Sequence, residues 1–304
     1  MISIVIPSYN EAGNIKLITK KIKGVLKEKE EFEIIFVDDG STDQTFEEIK
    51  NIMKTEKFVE VISFSRNFGH QKALKAGLDH ARGDCVICMD ADLQHPPEVL
   101  PKLIDKWREG YDVVYTIRKD TMDIGFIKRV TSKCFYKMIN ILSDVDIPLG
   151  AADFRLLDRK VVNELKQFKE KWLFIRGLVS WLGFRQVGLE YTVQPRYKGK
   201  SKYSMSKMIA FAIQGVTSFS ILPLRISTIL GVLFSFISFM YALYALYIKI
   251  FTKASILGWT SIMISVLFIG GVQLICIGMI GEYLGKMFIE TKERPNYVIR
   301  EKSI

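Results

Sequence analysis

The sequence predicts an α/β protein with a doubly wound, mostly parallel sheet, followed by an interfacial helix and two C-terminal transmembrane helices. Three observations carry this reading. From Ile2 to Arg118, short apolar runs alternate with amphipathic stretches, the pattern of strands feeding crossover helices. Acidic strings fall at the ends of two of those runs. Two long uncharged apolar stretches then occupy the C-terminal third, each long enough to cross a bilayer.

The elements follow in order. Ile2–Pro7 (ISIVIP) is a buried-strand run closed by Pro7, and Ala12–Lys27 is a helix. Glu33–Asp39 is a second strand, and Ser41 or Thr42 is the expected cap of the helix Asp43–Lys54. Val59–Ser65 is a third strand, Gly69–Ala81 a helix, and Cys85–Asp90 a fourth strand. The helix Pro96–Glu109 opens on prolines, which its first turn tolerates. Asp112–Arg118 is a fifth strand. In open α/β sheets ligands collect beyond the carboxyl ends of the strands, and Asp38, Asp39, Asp90 and Asp92 all fall there.

Past residue 203 the character changes. Residues 204–222 mix Met, Ile and Phe with Lys and Ser, as in a helix lying along a membrane surface. Ile226–Ile248 lies between Arg225 and Lys249, and a second uncharged stretch lies between Lys253 and Glu282. Neither carries the polar stripe of a soluble helix. The layout is therefore a domain over 1–203, an interfacial helix over 204–222, spans at 226–248 and 257–281, and a tail over 282–304. Basic residues crowd the outer flanks, with Arg196, Lys198, Lys200, Lys202, Lys207 and Arg225 before the first span. Lys286, Lys292, Arg294, Arg300 and Lys302 follow the second, against Lys249 and Lys253 between them. The positive-inside rule then puts both termini and the large domain in the cytoplasm of a multi-pass inner (plasma) membrane protein. The start, MISIVIPSYNE, has neither the basic region nor the cleavage site of a signal peptide.

The 304 residues carry a net charge of +10, which suits nucleic acid, anionic lipid or phosphorylated partners. Of four cysteines, Cys85 and Cys88 form a CxxC inside a strand. Residues three apart on a strand face opposite ways, and no second pair or His set completes a zinc site, so a core role is expected.

Three strings carry chemistry. In DADLQHPPE (90–98), Asp90, Asp92 and Gln94 offer hard oxygen ligands just past a strand, suited to Mg²⁺ or Mn²⁺ bridging a nucleotide diphosphate. A polar turn capping a helix gives the same local string. His95 follows directly, either facing the sugar and diphosphate or entering a helix at the surface; His70 opens the helix 69–81. In VDDGSTDQT (37–45), Asp38 and Asp39 are suited to accept hydrogen bonds from a base and a ribose. In IPSYNEAGNI (6–15), Glu11 stands where it could meet ribose hydroxyls. Each is weak alone; their order on successive strand ends is specific.

Together these strings resemble the family-2 glycosyltransferases of GT-A fold, and the likeness continues through GAADFRLLDR (150–159) and RYKGKSKYS (196–204). With the two spans it covers almost the whole chain, and it is nearest the polyprenyl-phosphate branch, which includes dolichol-phosphate mannose synthases. The resemblance implies inverting, metal-dependent transfer of a sugar from a nucleotide-sugar, UDP-glucose or UDP-GlcNAc, to undecaprenyl phosphate for cell-envelope glycan modification. It implies homo-oligomers, a tetramer by analogy, and no nucleic-acid partner. By that resemblance Pro7, Tyr9 and Glu11 line the nucleotide pocket with Asp38, Asp39 and Asp90. Asp90, Asp92 and Gln94 hold the metal, and Asp92 and Asp153 act at the reacting sugar. Arg118, Arg129 and Ser132 grip the acceptor phosphate. Arg196, Lys198, Ser201, Lys202 and Tyr203 belong to a loop closing over it. Asp153 could orient a hydroxyl, assist proton transfer, stabilise charge or simply pair with Arg155.

Three other readings compete. A processive polysaccharide synthase needs a QxxRW string, which the chain lacks. A nucleotidyltransferase usually has a Gly-rich phosphate loop where this chain has PSYNEAGN. A non-enzymatic assembly partner has no need of Asp39, Asp90 and Asp92, all of which are present.

Overall fold

The computed structural model describes residues 1–27, 30–119, 151–171, 173–192, 222–251 and 258–303. Arg129, Ser132, Arg196, Lys198, Ser201, Lys202, Tyr203 and all but the last residue of the expected interfacial helix lie outside them. The chain forms two units, residues 1–212 with 294–304, and residues 213–293.

In the first unit β1 (Ile2–Ser8), β2 (Phe32–Asp38), β3 (Val59–Phe64), β4 (Cys85–Cys88) and β5 (Val113–Lys119) alternate with α1 (Ile15–Leu26), α2 (Thr45–Thr55), α3 (His70–His80) and α4 (Leu100–Arg108). Then come β6 (Ala151–Asp158), α5 (Arg159–Gln167), α6 (Ile175–Trp181) and β7 (Gln186–Thr192), with β8 (Ile299–Lys302) near the C-terminus. The eight-stranded sheet has the order β7-β5-β6-β4-β1-β2-β3-β8. β6 is antiparallel to β4 and β5, and β8 is antiparallel to β3; the other pairings are parallel.

Local sequence explains the elements. β1 is buried at every position, as a central parallel strand covered on both faces must be. α1 turns Ile15, Ile18, Ile22 and Leu26 inward at helical spacing, and each such side chain contributes about 1.5–3 kcal/mol of burial free energy. α3 lies hard against β1: a Cβ on Gly77 would come 2.1 Å from Val5 Cγ1. Buried Glu33 is satisfied by the Ser3 hydroxyl at 2.6 Å and the Arg82 guanidinium at 2.6 and 2.9 Å, which offsets the cost of an interior charge. Cys85 and Cys88 are buried free thiols, and burial pushes both up to about 12.

Three local expectations need correcting. Pro7 does not end β1, which continues to Ser8 with Pro7 opposite Val37. Pro7 lacks an N–H to donate, yet its carbonyl and its apolar ring still suit a buried strand end. Neither Ser41 nor Thr42 caps α2. That helix starts at Thr45, whose N–H donates to Asp43 Oδ1 at 3.0 Å, while Ser41 is engaged by the neighbouring loop. The tail is not a separate segment from Glu282 onward. The second apolar helix runs on to Thr291, and residues 294–304 belong with the first unit.

The second unit contains α7 (Leu222–Phe251) and α8 (Trp259–Thr291). Both are long and apolar enough to cross a bilayer, with apolar windows at Leu224–Tyr241 and Phe268–Thr291. Phe236 and Leu274 are among the large apolar side chains pointing outward, while Phe234 and Phe268 meet edge to face at 5.3 Å.

Candidate active site

The site is built at the carboxyl ends of β1, β2 and β4, where three loops converge. The first two loops are interlocked. Asn10, at φ 56°, donates its N–H to Ser41 Oγ at 3.0 Å and accepts from the Thr42 N–H at 2.9 Å. The Glu11 N–H donates to Thr45 Oγ1 at 2.8 Å, and Asn14 Nδ2 donates to Glu11 Oε2 at 2.7 Å. Tyr9 and Glu11 remain partly exposed. Gly40 allows the turn after β2: it has φ +67°, and a Cβ there would lie 2.4 Å from the Arg66 backbone.

Asp38 and Asp39 part ways here. Asp38 is fully buried, taking the Ser41 N–H on Oδ1 at 3.0 Å and the Ser63 hydroxyl on Oδ2 at 2.8 Å. Both carboxylates are buried, and that of Asp38 is engaged by its own loop and by β3. Asp39 accepts the Phe68 and Gly69 N–H groups at 2.6 and 2.9 Å. Burial pushes its pKa up, with those two donors opposing. Asp39 thereby fixes the lead into α3.

The third loop carries Asp90 and Asp92. Leu93 takes a left-handed φ of 63° although it is not glycine, a conformation that costs energy unless its surroundings enforce it. Leu93 is buried, and Asp92 Oδ1 accepts the Gln94 N–H at 3.1 Å across the turn. His95 is no surface helix entry. It is buried, stacked on Phe154 at 4.9 Å, and its Nδ1 accepts the Asp90 N–H at 3.0 Å. Burial lowers its pKa, so a neutral imidazole holds the Asp90 backbone from below. Gln94 Oε1 accepts from Arg118 at 3.1 Å.

Asp153 reaches this loop because β6 runs backward. Cys88 pairs with Arg155, and continuing that antiparallel register sets Asp153 opposite Asp90. His70, at the start of α3, lies 3.6 Å from Asp90 and 3.9 Å from Asp153. Arg176 from α6 meets Asp153 at 3.0 Å, Arg155 lies at 3.8 Å, and Gln71 Nε2 donates at 3.5 Å. Gln71 also accepts the Ile175 N–H at 3.1 Å, tying α3 to α6. Burial alone would raise the Asp153 pKa; Arg176, Arg155 and His70 outweigh it and hold the carboxyl well below the usual carboxylate range.

The structure thus brings together Asp90, Asp153 and His70, sets Gln94 against Arg118, and leaves Asp38 and Asp39 buried and bonded to neighbouring loops. Sequence reasoning did not find Arg176 or Gln71, which occur in no recognisable string. Among the described residues no three His, Cys, Asp or Glu side chains form a ready metal cage. Two carboxylates at one turn still fit a hard divalent ion, which commonly takes one or two carboxylates and completes its shell with substrate phosphate and water.

Residues 3–166 match the description "Glycosyl transferase family 2". An uncharacterized glycosyltransferase of Bacillus subtilis, YkcC, is 43% identical over 98% of this chain and 93% of its own length. The chain belongs to glycosyl transferase family 2. Other relatives within reach of this family-2 chain are the bactoprenol glucosyl transferase of Shigella phage SfX, 42% identical over 99% of both chains, and the prophage bactoprenol glucosyl transferase homolog of Escherichia coli K12, 41% identical over 98% of both. Among solved structures, the mannosyltransferase PcManGT of Pyrobaculum calidifontis, in complex with GDP-Man and Mn²⁺, has a TM-score of 0.50 at 17% identity. It covers 71% of this chain and 63% of its own. That likeness bears out the GT-A fold of this family-2 glycosyltransferase.

Proposed function

We propose that this glycosyltransferase moves glucose from UDP-glucose to undecaprenyl phosphate, with inversion, at the cytoplasmic face of a bacterial membrane. The observation that carries this reading is the extent of the kinship. Relatives named for bactoprenol glucosyl transfer match from end to end, apolar helices included, not over the sugar-nucleotide domain alone. The site chemistry agrees. A lipid phosphate is already an anionic nucleophile, so the reaction asks less for a base than for a way to bring two anions together.

In this reading Asp90 and Asp92, with Gln94 beside them, hold a divalent cation, Mg²⁺ or Mn²⁺. When bound, that ion offsets the charge of the leaving diphosphate. Tyr9, Glu11 and Asp39 flank the nucleoside, while Asp38 acts from behind by bracing the loop. Asp153 stays ionised against Arg176 and faces the anomeric carbon as a fixed negative charge where positive charge develops. Arg118, with Arg129, Ser132 and the basic segment Arg196 to Tyr203, meets the acceptor phosphate; arginine forks suit it.

The test is transfer by the purified full chain in detergent with undecaprenyl phosphate, Mg²⁺ or Mn²⁺, and a panel of UDP- and GDP-sugars. Mass spectrometry is expected to find one hexosyl lipid phosphate from UDP-glucose, and NMR to find the β anomer. Product from another donor alone would replace glucose in the assignment, and a retained α anomer would overturn inversion.

Orientation rests on charge. Arg225, Lys286, Lys292 and Arg294 flank the outer ends of the apolar helices, against Lys249 and Lys253 between them. A reporter joined after Ile304 is expected to be active only when it functions in the cytoplasm. Activity confined to a periplasm-dependent reporter would reverse the topology.

A further inference from the structure

The last residues of the chain reach back into the donor loops. β8 adds to the β3 edge with Ser63 opposite Glu301 and Phe64 opposite Ile299, so the register skips Arg300. A bulge of this kind re-aims the extra side chain. Arg300 donates to Ser63 Oγ at 2.9 Å, lies 4.0 Å from Asp38, and rests over the Phe46 ring at 4.9 Å. The Ser63 hydroxyl in turn donates to Asp38 Oδ2 at 2.8 Å. Asp38 Oδ1 holds the Ser41 N–H, and Ser41 Oγ holds the Asn10 N–H, each at 3.0 Å. One hydrogen-bonded line therefore runs from the tail through two buried side chains to both donor loops.

The docking of the tail is itself well anchored. Tyr297 stacks on Phe64 at 5.0 Å and donates to Asp79 at 3.0 Å. Lys50 pairs with Glu301 at 2.8 Å, and Val61 and Ser303 bond through the Val61 N–H at 2.9 Å. Arg300 differs from these neighbours in pointing toward Asp38. A carboxylate with no exposed surface gains from a cation close by, because water no longer screens or solvates it.

We propose that Arg300 is a positioning residue for the sugar-nucleotide site, acting through Ser63 and Asp38 to hold the loops 8–11 and 38–45 in their donor-binding shape. This rests on the reading that those loops receive the nucleotide. It gives the segment after the second apolar helix a part in substrate affinity beyond completing the sheet. Arg300 touches no substrate in this scheme, so its removal weakens donor binding and leaves the chemical step intact.

The experiment compares wild type, Arg300→Ala, Arg300→Lys and Glu301→Gln as full chains in nanodiscs, by donor kinetics, UDP binding and hydrogen exchange of the loop amides. Arg300→Ala is expected to raise the donor KM and the UDP Kd about five- to tenfold, the size of one ordinary net hydrogen bond for a half-exposed guanidinium, with kcat and the lipid KM unchanged. The Ser41 and Thr42 amides should exchange faster by a similar factor. Arg300→Lys should recover part of the loss, and Glu301→Gln, on the same strand, should behave as wild type. Wild-type affinity and exchange in Arg300→Ala would overturn the proposal, as would equal losses in Arg300→Ala and Glu301→Gln, which would mark general loosening of the strand. Faster loop exchange in Arg300→Ala, with a wild-type chain that binds no nucleotide, would uphold the coupling and overturn the donor-site reading instead.

Discussion

Asp92→Asn is expected to lower transfer by ~10²–10³-fold, close to the loss in Asp92→Ala, while the protein stays folded. Asp92 is buried and its Oδ1 accepts the Gln94 N–H at 3.1 Å. Asparagine keeps an acceptor there and removes only the charge. Alanine removes both, and the extra lost hydrogen bond costs about 1 kcal/mol. If the carboxylate matters as a ligand for a divalent ion, charge is what counts, and losing one electrostatic partner of a developing anion has this magnitude. Turnover at saturating Mn²⁺ and melting temperature, measured side by side, separate the two roles. Asp92→Asn with more than about a third of wild-type turnover would remove the carboxylate from the catalytic machinery, since no tenfold effect would then remain.

Asp153→Asn is the other large expected effect, and it acts on both rate and stability. Its carboxylate meets Arg176 at 3.0 Å and Arg155 at 3.8 Å, and Arg155 is only 3% exposed. Neutralising it removes the carboxylate that the two guanidiniums share, a change that costs about 3 kcal/mol at the low end for broken buried pairs. If Asp153 is the fixed negative charge beside the anomeric carbon, as proposed, turnover should fall at least ~10²-fold. The pH dependence has a definite sign. The folded-state pKa of Asp153 is depressed, so its stabilisation is fully present above the unfolded value of about 3.9 and is lost as pH falls through the lower folded value. The stability gap between wild type and Asp153→Asn should be full at neutral pH and shrink below about pH 4. A carboxylate held that low is also ionised throughout the neutral range, so no limb of the kcat profile between about pH 5 and 8 should belong to it. Near-normal turnover in Asp153→Asn would take it off the catalytic list.

Much of the sheet was legible because its central strands are apolar on both faces and the helices between them keep a clear period. Ile2–Ser8 and Phe32–Asp38 show this plainly. The two reversed strands were not legible. Ala151–Asp158 was read for its motif, and nothing local shows that AADFRLLD enters the sheet backward between β4 and β5. Ile299–Lys302 is four residues with three exposed, so it has no apolar signature. Its place depends on an unfilled edge far away in sequence. The site divides the same way. Asp90, Asp92 and Asp39 announce themselves at strand ends. Asp38 and Asp39 are both buried and differ in what they hold, Asp38 the Ser41 N–H and Ser63 hydroxyl, Asp39 the Phe68 and Gly69 N–H groups, a division that adjacent residues in the sequence do not record. His95 was ambiguous because only the packing of Phe154 and Tyr191 around it, at 4.9 and 6.0 Å, makes it interior. Arg176 and Gln71 matter only through side chains brought to them by other elements.

The reversed strand at the β3 edge also orders events during synthesis. β3 leaves the ribosome early, yet its partner β8 is encoded after both apolar helices. Until those helices have been made, the nascent sheet ends in an open β3 edge, with Ser63 and Asp38 lacking the Arg300 guanidinium that later closes over them. A ribosome that stops anywhere before residue 299 releases a domain with an unpaired strand, the kind of edge that recruits other chains. Completion of the sheet is thus deferred until both apolar helices have been translated, and truncated products carry an exposed mark of their incompleteness.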